Sequence, residues 1–189
     1  MREIIQEAIL ESIRVKEELL KNNLSQIVEI SKDIVEAIRK GGKLIIFGNG
    51  GSASDAQHIA AELVGRFKKD RPAIPAISLT VNTSVITALA NDFGYDVIFA
   101  RQIEGLAVKG DVVLAISTSG KAKNVVMGLK QAKKMGLATV ALTGCDGGEI
   151  AKLADASVIV PSSQTPRIQE SHILIGHIIC ELVEEAGIL

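Results

Sequence analysis

The residues best suited to chemistry fall into three groups. The first lies on one stretch, Gln57-His58-Ile59-Ala60-Ala61-Glu62. His58 and Glu62 are four residues apart and share one face of a helix. That spacing suits a metal site or an acid–base pair, and equally an ordinary surface pair. The second group follows Thr165-Pro166-Arg167 and comprises Gln169, Glu170, His172 and His177. His177 interrupts an apolar run, with Ile173-Leu174-Ile175-Gly176 before it and Ile178-Ile179-Cys180 after it. A histidine there is either hydrogen-bonded in the core or placed for chemistry. The third group is a pair of polar loops, Gly48-Asn49-Gly50-Gly51-Ser52 and Ser117-Thr118-Ser119-Gly120. Glycines let backbone N–H groups approach an anion, hydroxyls add donors, and a following helix N-terminus favours negative charge. Each loop also reads as a plain βα turn with a Ser or Thr cap. Neither continues into Gly-Lys-Ser/Thr, and neither has G-x-G-x-x-G spacing, so a small phosphorylated ligand is preferred over a nucleotide. Asn91-Asp92-Phe93-Gly94 reads as a helix-terminating turn, where Asp92 could also bind sugar hydroxyls.

The elements that must position these groups follow from the apolar pattern. Ile4, Ile5, Ala8, Ile9 and Ile13, then Ile27, Ile30, Ile34 and Ile38, recur at helical steps, with a break at Asn22-Asn23 and an end at Gly41-Gly42. Five short apolar runs follow: Lys43 to Phe47, Ile74 to Leu79, Asp111 to Ile116, Ala138 to Leu142 and Ser157 to Val160. Helix-like segments lie between them at about 53–66, 83–107 in two pieces, 121–135 and 167–186, with Thr165-Pro166 as the cap of the last. Continuous apolar strands alternating with helices predict an α/β fold whose parallel sheet is covered on both faces. One domain over 1–189 is expected, with 1–40 as an N-terminal helical segment and 41–189 as the α/β core. In such a sheet ligands bind beyond the carboxyl ends of the strands, where both polar loops fall.

Composition narrows the function. The 189 residues are 47% hydrophobic, enough for one proper core. The formal net charge is −1, and aromatics make up 3% with no Trp, so nucleic acid and anionic lipid are not expected partners. Cys145 and Cys180 have no paired spacing and read as small core residues, and no apolar stretch reaches spanning length. A cytoplasmic protein with no membrane partner is expected.

Taken in order, these stretches resemble the phosphoheptose isomerase family. The resemblance rests on Phe47-Gly48-Asn49-Gly50-Gly51-Ser52, Asp55-Ala56-Gln57-His58 with Ala61-Glu62, Ala90-Asn91-Asp92-Phe93-Gly94, Ile116-Ser117-Thr118-Ser119-Gly120 and Arg167-Ile168-Gln169-Glu170. It implies a sugar isomerase (SIS) domain with a flavodoxin-like sheet, assembled as a homotetramer with active sites near subunit interfaces. It implies conversion of sedoheptulose 7-phosphate into D-glycero-D-manno-heptose 7-phosphate, toward activated heptose for surface glycans such as lipopolysaccharide. On that resemblance Glu62 and His177 are the catalytic pair, and His58, Glu62, Gln169 and His177 hold a divalent metal, usually zinc. Asn49, Gly50, Gly51, Ser52, Glu62, Asn91, Asp92 and Gln169 line the sugar phosphate, and Ser117, Thr118 and Ser119 hold its phosphate. The family commonly continues the phosphate loop with Gly-Asn-Ser, whereas this chain has Gly120-Lys121-Ala122 and lacks that hydroxyl. Lys121 is the candidate compensating charge. The competing expectation is a non-catalytic SIS tetramer that binds the replication initiator or senses sugar phosphates.

Two expectations concern assembly. Gln169 and His177 are eight residues apart, a rise of about 12 Å on one helix, so they meet at one metal only if both side chains lean toward it or if two subunits contribute. Ile4, Ile5, Ile9 and Ile13, with Ile175, Ile178, Ile179 and Leu182, are the candidate apolar faces of an intersubunit bundle.

Overall fold

The structure is a computed structural model, and it describes residues 1–187. Two helices open the chain, α1 (Arg2–Asn22) and α2 (Leu24–Arg39), broken at Asn23 as the paired asparagines predict. The five apolar runs form β1 (Leu44–Gly48), β2 (Ala76–Ser78), β3 (Val112–Ser117), β4 (Ala138–Thr143) and β5 (Ala156–Ile159). Between them lie α3 (Gly51–Val64), α4 (Thr83–Phe93), a 3₁₀ turn (Tyr95–Val97), α5 (Ile98–Leu106), α6 (Lys123–Lys134) and α7 (Gly148–Leu153). Helix α8 (Thr165–Glu185) follows β5. Thr165 is the first helical residue rather than the cap, because the flanking position falls to Gln164. The six-residue α7 was not anticipated; its Gly147-Gly148 start resembles a turn.

All strand pairs are parallel, in the order β2-β1-β3-β4-β5. Every residue of β1 and β3 is buried, so these strands have no solvent face and read as unbroken apolar runs. Period-2 alternation still sorts them. Leu44, Ile46, Val112, Leu114 and Ile116 face one core with α2, α3 and α8, while Ile45, Phe47, Val113 and Ala115 face the other with α5 and α6. The strand order reverses direction between β1 and β3, where Gly48 pairs with Ile116. That reversal opens a crevice at the carboxyl ends of the two central strands. Both polar loops sit there.

The helical stripes divide between the subunit's own core and its surface. Ile27, Ile30, Ile34 and Ile38 of α2 are buried, and so are Ile175 and Ile179 of α8. The expectation that the α8 stripe serves an intersubunit face is therefore corrected: that stripe covers its own sheet, leaving Leu182 exposed. The first helix behaves differently. Ile4, Ile5, Ile9, Leu10 and Ile13 are all about half exposed or more. What binds α1 to the body is largely polar. Arg167 donates through Nη1 to the Ala8 carbonyl, and Ser12 Oγ donates to Glu170 at 2.7 Å.

His172 is fully buried on α8, with Nε2 donating to the Thr143 carbonyl at 3.1 Å and Nδ1 without a partner. Burial pulls its pKa from 6.5 down to about 4, against a small opposing effect of the Thr143 carbonyl. The unfolded chain therefore takes up this proton below about pH 6.5, whereas the folded chain resists until about pH 4. The neutral imidazole's contribution is complete above pH 6.5 and is lost as pH falls toward 4. Replacing His172 with Gln, which keeps a donor for Thr143, should remove up to about 3 kcal/mol of that loss. Denaturant unfolding of both proteins at pH 7 and pH 4.5 measures the difference in acid slope.

Candidate active site

Helix α3 begins at the crevice and runs back along the sheet. Gly48 ends β1 because nothing larger fits: a Cβ there would lie 2.7 Å from the Ile116 carbonyl and from Ser52 Cβ. Gly50 has φ +55°, a conformation that side chains resist, and it starts α3 with no side-chain cap. The N–H groups of Ser52 and Ala53 donate to the Asn49 and Gly50 carbonyls at 3.0 Å, which tightens the start of α3, and Ser52 is buried there. Across the switch point, Ser117 is buried at the end of β3, Thr118 is half-buried and Ser119 is exposed. Ser119 Oγ accepts from the Lys121 backbone N–H at 3.2 Å. Lys121 itself reaches the surface, where Nζ pairs with Asp146 at 3.1 Å. Ala122 flanks the start of α6 and offers no side-chain donor or cap. Asn91 and Asp92 are exposed at the end of α4, with Asn91 Nδ2 donating to Asp92 at 2.9 Å.

Helices α3 and α8 run side by side, with Gln169 against Gly51 and Gly176 against Ile59. This pairing carries His177 to His58. Their Nε2 atoms are 3.1 Å apart, and His58 Nε2 is also 3.1 Å from Glu62 Oε1. Donor atoms of His58, Glu62 and His177 all lie within 4.8 Å of one another. The uncertainty over His177 in the sequence resolves toward the site: it is half-buried beside two chemical groups, and the core histidine of α8 is His172. His177 meets His58 and Glu62 of its own chain, so no neighbouring subunit is needed for that contact. Gln169 lies in the first turns of the same helix, α8. Its amide packs on Gly51, seven residues before His58 on α3, or about 10 Å along the axis.

Three features of this cluster were not legible in advance. Phe67 stacks on the His177 ring, with centroids 5.4 Å apart and 29° between planes. Phe67 is held by a buried ion pair between Arg71 and Glu184, 3.0 Å from Nε to Oε1. Glu184 also accepts from the backbone N–H groups of Phe67, Lys68 and Lys69. Arg71 donates to the Glu62, Leu63 and Gly65 carbonyls and so closes the C-terminus of α3. Burial pushes the Glu184 carboxyl up, but the three N–H donors and Arg71 outweigh it and leave the group below its ordinary value. The third feature is Asp55, one turn before His58. Its Oδ2 is buried without a partner, and burial raises its pKa to about 6 against the pull of His58.

An imidazole–carboxylate–imidazole set with converging nitrogen and oxygen donors suits a divalent transition-metal ion, zinc above all. The two Nε2 atoms already face each other at 3.1 Å, as two ligands of one ion must face a common point. The same carboxylate and imidazoles can move protons. The two polar loops lie at one end of α3, and His58 and Glu62 lie further along it.

A doubly wound sheet places its ligand crevice at the switch point, where both polar loops sit, and residues 9–144 match the SIS domain family. The chain is 54% identical over 187 residues to the phosphoheptose isomerase of Sulfurimonas denitrificans, covering 98% of this chain and 96% of that one. It is also similar to the solved structure of the phosphoheptose isomerase GmhA from Neisseria gonorrhoeae, with TM-score 0.93 and 39% identity over 97% of this chain and 98% of that chain. A phosphoheptose isomerase from Francisella tularensis matches with TM-score 0.94 and 34% identity, over 97% of each chain. The chain belongs to the phosphoheptose isomerase family of SIS-domain proteins, and it is an isomerase.

Removing Arg71 tests how the cluster is supported. Arg71→Met strips a buried carboxylate of its cation and opens the end of α3. Stability should fall by roughly 3 kcal/mol, as for a broken buried pair. Arg71→Lys should recover only part, since an ammonium cannot repeat the forked contacts. Urea unfolding gives the stability, and the chemical shifts of His177 report whether Phe67 still stacks on it.

Proposed function

We propose that this chain interconverts sedoheptulose 7-phosphate and D-glycero-D-manno-heptose 7-phosphate in the cytoplasm, supplying activated heptose for surface glycans such as lipopolysaccharide. The observation that carries the reading is the convergence of His58, Glu62 and His177 alongside a helix whose N-terminus opens between two anion loops. On this reading Ser117, Thr118 and Ser119 hold the phosphate with the Gly51 N–H and the Ser52 hydroxyl. Asn49, Gly50, Gly51, Asn91, Asp92 and Gln169 line the chain of hydroxyls. The carbonyl end then reaches the His58–Glu62–His177 cluster, whose His58 lies about 10 Å along α3 from Gly51, a span that suits an extended heptose phosphate. No helix among the described residues is long and apolar enough to cross a membrane, which is compatible with a cytoplasmic site.

The proton steps follow from the residue types. Glu62 takes the proton from C1 of the ketose, the C–H electron pair forms the C1–C2 double bond, and the C2 carbonyl pair moves onto its oxygen to give an enediolate. His177 moves a proton from the C1 hydroxyl to the C2 oxygen. Glu62 returns its proton to C2, and the carbonyl now stands at C1. Phe67 fixes the His177 ring, and the half-buried setting limits competition from water. His58, Glu62 and His177 would hold the divalent ion, with Gln169 as the fourth ligand if its side chain and that of His177 lean toward one point. When bound, such an ion supplies Lewis-acid polarisation of the sugar carbonyl oxygen.

Replacing Glu62 with Gln preserves shape and removes the base. Turnover of sedoheptulose 7-phosphate should drop by at least about a hundredfold with the fold unchanged by circular dichroism. Turnover near that of wild type would remove Glu62 as the base. A wild-type chain without turnover, but with intact sugar-phosphate binding, would favour the sensing or scaffold reading.

The same reading includes a homotetramer. Its support is the row of exposed isoleucines on α1, an apolar face larger than a lone surface helix ordinarily leaves open. Light scattering should give about four times the 20.0 kDa chain mass, and Ile9→Glu with Ile13→Glu should lower it. A monomer with full activity would overturn the assembly.

A further inference from the structure

The loop that opens α3 is tied to the rest of the crevice by one side chain, Asn49, and the residues that tie it have no place in the chemistry above. Asn49 Nδ2 donates to Asn124 Oδ1 at 2.8 Å, and Asn124 Nδ2 donates back to Asn49 Oδ1 at 2.8 Å. Tyr95 donates its hydroxyl to the same Asn49 Oδ1 at 3.1 Å. Asn124 is 3% exposed and is the second residue of α6, the helix that follows the Ser117–Gly120 loop. Tyr95 begins the 3₁₀ turn directly after Asn91-Asp92-Phe93-Gly94. Three chain segments therefore converge on one amide: the Gly-rich loop, the start of α6 and the end of α4.

We infer that Asn124 and Tyr95 are positioning residues that act through Asn49 to hold the Gly-rich loop in register with the Ser117–Ser119 loop for a phosphorylated ligand. The inference rests on the assignment of those loops to the sugar phosphate. A reciprocal amide pair is a demanding contact, because each partner must present both an oxygen and an N–H. It fixes the rotation of the Asn49 side chain as well as its place. With Oδ1 turned toward Asn124 and Tyr95, one N–H of Asn49 Nδ2 is used in the pair and the other is free for a ligand. The site needs such a brace. Gly50, next in the chain, has a backbone conformation few residues adopt, and glycines on both sides leave the loop with no side chain of its own to pack. A loop built to let backbone N–H groups approach an anion is otherwise floppy, and it would spend binding free energy on its own ordering. Asn124 is anchored by burial in α6, and Val125 beside it is fully buried in the second core, so the brace ends on a rigid element.

The test is a double-mutant cycle on the full chain. Asn49→Ala, Asn124→Ala and the double variant are compared for sedoheptulose 7-phosphate turnover and for inorganic phosphate affinity by calorimetry. Each single change should raise KM and weaken phosphate binding by about tenfold, the size expected for a lost buried hydrogen-bond pair, while kcat changes less. The double variant should be no worse than Asn49→Ala, because Asn124 acts only through Asn49. Tyr95→Phe removes one exposed bond without risk to the fold, and it should raise KM by about threefold in the wild-type background and not at all in Asn49→Ala. Multiplying effects in the double variant, Asn124 variants that bind phosphate like wild type, or a wild-type chain that does not bind phosphate would each overturn the inference. Coupled losses of phosphate affinity in a chain without isomerase turnover would uphold the brace and overturn the isomerase reading instead.

Discussion

The distance between α3 and α8 governs this site. Two glycines set it. At Gly176 a Cβ would lie 2.6 Å from Ile59 Cδ1, and at Gly51 a Cβ would run into the amide of Gln169. With hydrogen at both positions the helices close to direct contact, and residues offset by seven or eight along each chain meet in turn. His177 then has no choice but to meet His58, because it follows Gly176 as directly as His58 precedes Ile59. A larger residue at 176 would push the helices apart and separate the two imidazoles, even though no catalytic group had been changed. The chemistry thus depends on a packing constraint before it depends on any charge.

The buried Arg71–Glu184 pair answers a second demand of the same geometry. Helix α3 ends at Val64, and its last carbonyls point toward the segment that carries Phe67. Unpaired carbonyls in a part-buried setting are costly. Arg71 satisfies three of them, and Glu184 on α8 balances its charge while accepting three N–H groups from residues 67–69. Desolvating an ion pair gives little net stability in general. Its value here is directional: the forked guanidinium and the two carboxylate oxygens fix a turn that would otherwise have only polar contacts with water. Phe67 rides on that turn and fixes the His177 ring.

Much of the architecture was legible because two signals agree along the chain. Strands buried on both faces give unbroken apolar runs, and helices such as α2 and α8 give three- and four-residue steps. The site was legible in part for a local reason, since His58 and Glu62 share a face on any helix. His177 was legible only through the family resemblance and not from its local pattern, because His172 and His177 both interrupt the same apolar stripe and only the orientation of α8 separates them. One turns into the core toward Thr143, and the other turns to the edge toward α3. Glu184 and Asn124 were invisible for the same reason. Their partners lie 113 and 75 residues away, and nothing in the local pattern distinguishes them from surface polar residues. The α8 stripe was misassigned to an interface because an apolar face does not say whether it covers its own sheet or another's. The α1 stripe has the same pattern and remains exposed.

The anion loops raise a question of charge. Neither Gly48–Ser52 nor Ser117–Gly120 contains a cation, and the nearest one in the chain, Lys121, is drawn to the surface by Asp146. On the proposed reading, attraction for a phosphate comes from oriented dipoles: the Gly51 N–H at the start of α3, the start of α6, and the hydroxyls of Ser52, Ser117, Thr118 and Ser119. Dipoles act over a shorter range than a charge, so they reward an exact fit and lose strength quickly when the loop shifts. Salt screens such a site weakly, because the interactions are made at contact distance. On that reading loop geometry, rather than a lysine or arginine, bears the burden of holding the ligand. The same reading explains why a loop made of glycines is fastened through Asn49 to a helix that is itself buried in the core.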